Sequence, residues 1–252
     1  MSRLTIVLGC AVFLSAFPAH HAGAQGGAPM LTDDTGTPGN QNFEFDIAAT
    51  LEANRNQRSW ELPTFDLSYG VSENVQLNLV TSIPVLQRDG RGPIAGLGSA
   101  SAAVKWRFLD QERGGLALST FPRVEWNLLA SSARRGLTEE GVRFFLPMEI
   151  GRSFGRFDLA MEVGPLIRTV DRSEWSYGVV IGTPVNSKLD LMAELHGSAR
   201  TDFSNDTLTV NVGVRAELNE TISLLGSLGH EVRAAPGEPL SLVSYLGVQL
   251  RF

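Results

Sequence analysis

The chain has 252 residues, 21 Lys and Arg against 27 Asp and Glu, and a formal net charge of −6. No stretch is rich in Lys or Arg, so the electrostatic footprint of a nucleic-acid partner is missing. The length suits one large β domain. Mean hydropathy is near zero, as in soluble proteins and also in membrane barrels, whose lipid-facing apolar residues alternate with polar ones.

In chain order, the first expected element is a leader. Arg3 gives a positive start, Leu4 to Phe17 is apolar but short for a spanning helix, and Ala22-Gly23-Ala24 offers a small-x-small cleavage site before Gln25. Residues 1–24 are therefore expected to be a cleaved secretory signal peptide. Cys10, the only cysteine, lies within it; Val7-Leu8-Gly9-Cys10 is a weak lipoprotein-like box, because the apolar run continues past it. After cleavage the chain needs neither disulfide nor thiol chemistry. Residues 25–41 are rich in Gly, Pro, Thr and Asp and read as a periplasmic lead-in. Asp33-Asp34, flanked by Thr32 and Thr35, offers oxygen ligands for a hard cation, but the spacing fits no calcium loop and an acidic turn is the better reading.

From residue 42 onward the dominant period is two, the repeat of a strand with unlike faces. Leu208, Val210, Val212, Val214, Ala216 and Leu218 alternate with Thr209, Asn211, Gly213, Arg215 and Glu217. Leu246, Val248, Leu250 and Phe252 do the same at the end of the chain. About twelve segments follow this rule: 42–54, 58–69, 75–84, 98–108, 115–127, 142–151, 157–169, 175–183, 189–199, 207–218, 222–231 and 241–252. Connections after even-numbered segments are short, whereas 85–97, 128–141 and 232–240 are long. Short turns at one rim and long loops at the other predict an all-β, antiparallel, up-and-down transmembrane barrel over 42–252, with both termini on the short-turn side.

The polar phase is the expected lumen lining: Glu44, Asp46, Asn78, Lys105, Arg107, Arg123, Glu125, Arg143, Glu149, Asp158, Glu162, Arg168, Asp190, Glu194, His196, Arg215, Glu217 and Arg251. Charges of both signs on neighbouring strands can pair, as enclosed charges must. A soluble sandwich would carry the same charges on a solvated face; the alternating loop lengths and terminal Phe252 favour the barrel. Tyr69, Trp106, Trp126, Trp175, Tyr177 and Phe252 fall at predicted strand ends in the apolar phase and are expected at the membrane interfaces. Trp60 falls in the inward phase unless Pro63 marks a bulge that flips the register. Pro122, Pro147 and Pro165 sit inside predicted strands, where each removes a ladder donor.

Met30-Leu31-Thr32-Asp33-Asp34-Thr35-Gly36-Thr37-Pro38-Gly39, followed by Phe43-Glu44-Phe45, resembles the opening of a bacterial outer-membrane family labelled "MetA-pathway of phenol degradation". Asp66-Leu67-Ser68-Tyr69-Gly70-Val71, Gln76-Leu77-Asn78, Gly96-Leu97-Gly98 and Val104-Lys105-Trp106-Arg107-Phe108-Leu109-Asp110 are similar to later parts of it. Gln249-Leu250-Arg251-Phe252 resembles the terminal signal read by the outer-membrane assembly machinery. The resemblance implies an outer-membrane barrel of transporter type, with outer-membrane lipids and that machinery as partners, and it implies no catalytic or ligand residues.

The expected function is passage of small solutes, with aromatic or hydrophobic ones as one option among them, and with no cofactor, metal or nucleic acid. A plugged barrel working through its loops is the alternative. A hydrolase is the weaker one: His196 lies beside Glu194, with Ser198 and Ser241 as nucleophile candidates, but no Gly-x-Ser-x-Gly turn supports it. His230, in the apolar phase, reads as an interface residue.

Overall fold

The structure, a computed structural model, describes residues 26–202, 206–234 and 237–252; the expected leader and Cys10 lie outside them. Strand segments are β1 (Phe43–Ala53), β2 (Gln57–Ser72), β3 (Val75–Arg88), the short β4 (Ile94–Ala95), β5 (Ser99–Leu109), β6 (Ala117–Thr120), β7 (Arg123–Asn127), β8 (Val142–Phe145), β9 (Met148–Phe154), β10 (Phe157–Arg168), β11 (Glu174–Asn186), β12 (Leu189–Arg200), β13 (Asp206–Glu217), β14 (Ile222–Ala234) and β15 (Leu242–Arg251). β6 with β7, and β8 with β9, are halves of single strands, and β4 is a loop segment pairing only with β3. The wall is a closed antiparallel barrel of 12 strands. Closure is made by β1 against β15, in register from Glu44↔Arg251 to Ala53↔Leu242. Every sequence-derived segment corresponds to one of these strands.

Alternation decides which way each side chain faces. Leu77, Leu79, Val104, Met161, Leu191, Leu195, Val212 and Leu246 are exposed on the outside, while Asn78, Lys105, Glu162, Glu194 and Asn211 on the same strands are buried inside. In water such an outer face would be a very large apolar patch; against hydrocarbon it is the stable arrangement, because the closed ladder leaves no unpaired strand edge. No helix among the described residues is long and apolar enough to cross a membrane, which has no bearing on crossing by strands.

The prolines have separate structural consequences. Pro122 lies between β6 and β7, and Pro147 between β8 and β9. Thr120 pairs with Met148 and Arg123 with Phe145, so the two breaks face each other and interrupt the ladder together. Pro165 instead stays inside β10, paired with Trp175, and its carbonyl accepts the Leu146 N–H at 3.2 Å. At Pro63 the register between β2 and β3 shifts between Glu61 and Thr64. That bulge sends Trp60 to the outer face beside Leu51, resolving its anomalous phase.

Among the described residues two short helices decorate the rims: α1 (Gln111–Gly114) in a turn, capped by the Asp110 carboxylate accepting from Glu112 N–H at 3.0 Å, and α2 (Ala130–Arg134) in the long loop after β7.

Candidate lumen site

Residues 26–38, expected as a lead-in, run inside the barrel as a strap. The strap is a compact turn. Gly27 N–H donates to the Thr32 carbonyl and Met30 N–H to the Gly27 carbonyl, both at 2.8 Å. The Asp34 carboxylate ties the ends together, accepting Gly26 N–H at 2.9 Å and Gly36 N–H at 2.6 Å. Asp33-Asp34 is thus an acidic turn whose carboxylates accept from protein donors.

The wall grips this turn from several strands. On β12, Glu194 accepts the N–H of Leu31 at 3.1 Å, the N–H of Thr32 at 2.6 Å, and Asn211 Nδ2 at 3.1 Å. On β5, Lys105 Nζ donates to Asp33 Oδ1 at 2.7 Å and to the Asp34 carbonyl, with Glu149 3.6 Å away. Arg123 stands 4.0 Å from Asp33 and 3.7 Å from Glu162. Arg215 and Ser227 donate to the carbonyls of Ala28 and Pro29 at 3.1 and 2.8 Å. Hydrogen bonds to charged groups contribute about 1.5–3 kcal/mol each, so Glu194 and Lys105 are the main polar anchors. Met30 adds an apolar one, packed with Ala160, Val180 and Met192.

Two glycines make room. A Cβ at Gly178 would lie 1.9 Å from Thr32 Oγ1, and one at Gly213 would lie 2.0 Å from Met30 Cε. At Gly178 a side chain is excluded while the strap is seated, whereas at Gly213 the flexible end of Met30 would have to shift. At the turn rim the strap leaves the lumen, with Thr37 Oγ1 donating to the Glu73 carbonyl at 2.8 Å and Gln41 N–H to the Gly70 carbonyl at 2.7 Å.

Electrostatics follow from enclosure. Burial alone would raise the Asp33 carboxyl, but Lys105 and Arg123 outweigh it and hold it below the usual carboxylate range. Burial pushes Asp34 up, and Lys105 only partly offsets this. Lys105 Nζ and the Arg123 guanidinium lie 4.6 and 5.3 Å from the Phe121 ring centroid, and Arg123 also covers Phe145 at 5.1 Å, contacts that favour cations.

The expected lining residues sort by height. Asp46, Asn78, Lys105, Arg123, Glu149, Glu162, Glu194, His196 and Arg215 surround the strap or face it across the lumen. Glu125, Arg143 and Arg168 lie at the loop rim, where Arg143 bonds Glu125 and Glu139, and Arg168 bonds Glu174 at 2.7 Å. Glu44, Arg107, Asp158, Asp190 and Arg251 lie at the turn rim, with Arg251 2.9 Å from Glu44. Glu217 keeps the lumen phase, opposite buried Ser223, but its side chain is exposed at the turn rim where β13 ends. The aromatics fall at two levels, with Tyr69, Trp106 and Phe252 toward the turn rim and Trp126, Trp175 and Tyr177 toward the loop rim. Trp106 and Phe252 are well exposed, Tyr69 packs on Phe43 at 4.6 Å, and Tyr177 lies across Gly197.

The hydrolytic alternative is not assembled. Ser198 bonds Thr207 at 3.2 Å, Ser241 donates to the Ala53 carbonyl at 3.1 Å, and the hydroxyl beside His196 is that of Ser176, at 3.3 Å. Glu194, the acid beside it, is taken by the strap.

Sequence reasoning missed the strap altogether, and among the wall residues it passed over the neutral or apolar inward groups Gln76, Ser119, Phe121 and Phe145. All of these lie in the same phase as the charges, so the signal was present; selecting for charge passed over it.

No known family description matches the chain, and no curated protein matches it in sequence. Solved channels match it in shape. The COG4313 outer membrane channel from Pseudomonas putida F1 aligns with a TM-score of 0.62 at 12% identity, over 84% of this chain and 96% of that one. A NanC porin aligns at 0.59 and 7% identity, over 82% and 98% of the two chains, and KdgM porin at 0.56 and 11%, over 82% and 99%. The likeness is one of fold.

Proposed function

We propose that this chain is a bacterial outer-membrane channel for small solutes, held shut by its own strap. The observation carrying this reading is the closed wall with an apolar outside and a charged, polar inside. Such a surface distribution suits a lipid exterior and an aqueous or solute-bearing interior. The fold shared with porins and with the COG4313 channel supports it. Phe252, exposed at the chain end, is the residue we assign to the assembly machinery. The resemblance to the phenol-degradation family supports aromatic or otherwise apolar cargo.

The strap favours one refinement over a permanently open pore. It touches wall strands from β5 round to β14, so passage requires it to move. The test is planar-bilayer recording of the chain with and without residues 26–36. The full chain should give small or intermittent currents and the shortened chain a large steady one. Silence from both, in protein that folds and inserts, overturns the channel reading and leaves a plugged barrel acting through its loops.

A further inference from the structure

Strap residues 26–36 bond to wall strands from β5 round to β14, and among the described residues they make no hydrogen bond or ion pair to β15, β1, β2 or β3. On that side the registers place Gln249, Asp46 and Asp66 in one row on three adjacent strands, with Asp46 directly opposite both of the others. Like charges directly opposed across a ladder repel. Here both carboxylates point into the barrel, and neither makes an ion pair with any Lys, Arg or His among the described residues. Arg251 is taken by Glu44, and Arg215 bonds the Ala28 carbonyl.

The remaining contacts do not satisfy them. Asp46 is 6% exposed, Gln249 1%. Gln249 Nε2 reaches Asp46 Oδ2 only at 3.5 Å, the outer limit of a hydrogen bond. Asp46 Oδ1 and Gln249 Oε1 have no donor at all. Asp66 receives one, from Asn78 Nδ2 at 2.5 Å. Swapping the oxygen and nitrogen of the Gln249 amide would set two acceptors against each other, so a flip does not repair the row. Tyr245 folds over this corner: a Cβ at Gly247, the next inward position, would lie 2.7 Å from its ring. The corner thus holds unpaired oxygens beside an aromatic ring, with no described Lys, Arg or His in ion-pair contact and only the more distant charges of Arg215 and Arg123 to offset its own.

We propose that Asp46, Asp66 and Gln249 form a binding site for a compact monovalent cation, either an alkali ion or the primary ammonium group of a solute. An ammonium brings three N–H donors, enough for Asp46 Oδ1, Gln249 Oε1 and one Asp66 oxygen. A potassium ion would take the same oxygens as ligands. The three residues make no hydrogen bond to the strap, and the site does not depend on the channel reading.

The test is calorimetric titration of the full chain in detergent, with potassium chloride or methylammonium chloride. Ionic strength and pH are held with tetramethylammonium salts, a cation too bulky and without donors. Saturable one-to-one binding of either ion is expected, weakened at least tenfold in Asp46→Asn and Asp66→Asn and unchanged in Asp158→Asn. Potassium alone assigns the site to alkali ions; methylammonium alone assigns it to amine-bearing solutes. Retained heat-dependent gel mobility in each variant separates a lost site from a lost fold. No saturable binding of either ion by the unaltered chain overturns the proposal and leaves a proton shared between the two carboxylates as what relieves their repulsion.

Discussion

At the scale of single residues, the strap is held by a few groups whose removal has unequal consequences. Glu194 satisfies two strap N–H groups and Asn211 at once. Glu194→Ala should leave the barrel intact while weakening strap docking by about 3 kcal/mol, the sum of two modest charged hydrogen bonds. A spin label at Leu31→Cys, a strap position 44% exposed, should report a mobile strap in that background. Lys105→Met differs, because it strands Asp33 and Glu149 in a closed space; breaking a buried pair this way costs about 3–5 kcal/mol, and the melting temperature should fall along with docking. Asp33 and Asp34 give docking a pH dependence of two opposed signs. Asp33 is held low when docked, so its contribution is full above its ordinary value of 3.8 and is lost as pH falls through the docked value. Asp34 is raised by burial, so its contribution is full below 3.8 and is lost as pH rises through its docked value. Relative to the unaltered chain, Asp33→Asn should flatten the acid limb of the label's pH profile and Asp34→Asn the alkaline limb. A profile unmoved by either substitution would show that strand carboxylates, not the strap, set the pH response.

At the scale of elements, the strands were legible because their period is enforced twice, by apolar side chains outside and polar ones inside. A register slip of one residue would invert every strand, as Leu208 to Leu218 illustrates. Trp60 was readable only conditionally, because a bulge changes parity without leaving a local composition signal other than Pro63. The strap had no such rule. It is a single turn with no period, and its fit depends on glycines far away in sequence. Gly178 is the sharpest case, since even a methyl group there collides with Thr32. Gly178→Ala should therefore unseat the strap and increase conductance, while Thr32→Gly in the same chain should restore docking in part. That coupling is measurable as a double-mutant cycle. Simple additivity of the two substitutions would mean that the collision is relieved by the wall rather than by the strap.

At the scale of the whole molecule, the barrel and its strap are separable structures. Ladder bonds close the ring from β1 to β15 with none routed through residues 26–36. The strap's bonds are to lumen side chains, which alternate with the side chains that meet the surroundings. The two faces of each strand therefore answer to different perturbations. Leu246, the most exposed of the large outer side chains at 70%, tests the outer face: Leu246→Arg should destabilise the barrel in bilayers by up to about 2–4 kcal/mol if it sits near the midplane, and by less toward either interface. In detergent at high dilution the same change should cost little, because the micelle adapts around the charge. Strap docking and the Leu31 label should be unaffected in both media, since Leu246 and the lumen lie on opposite sides of one strand. An outer-face charge that loosened the strap would mean that the wall deforms as a unit. Strap release would then follow from lateral pressure on the barrel, with the paired breaks at Pro122 and Pro147 as the place where the wall yields most easily.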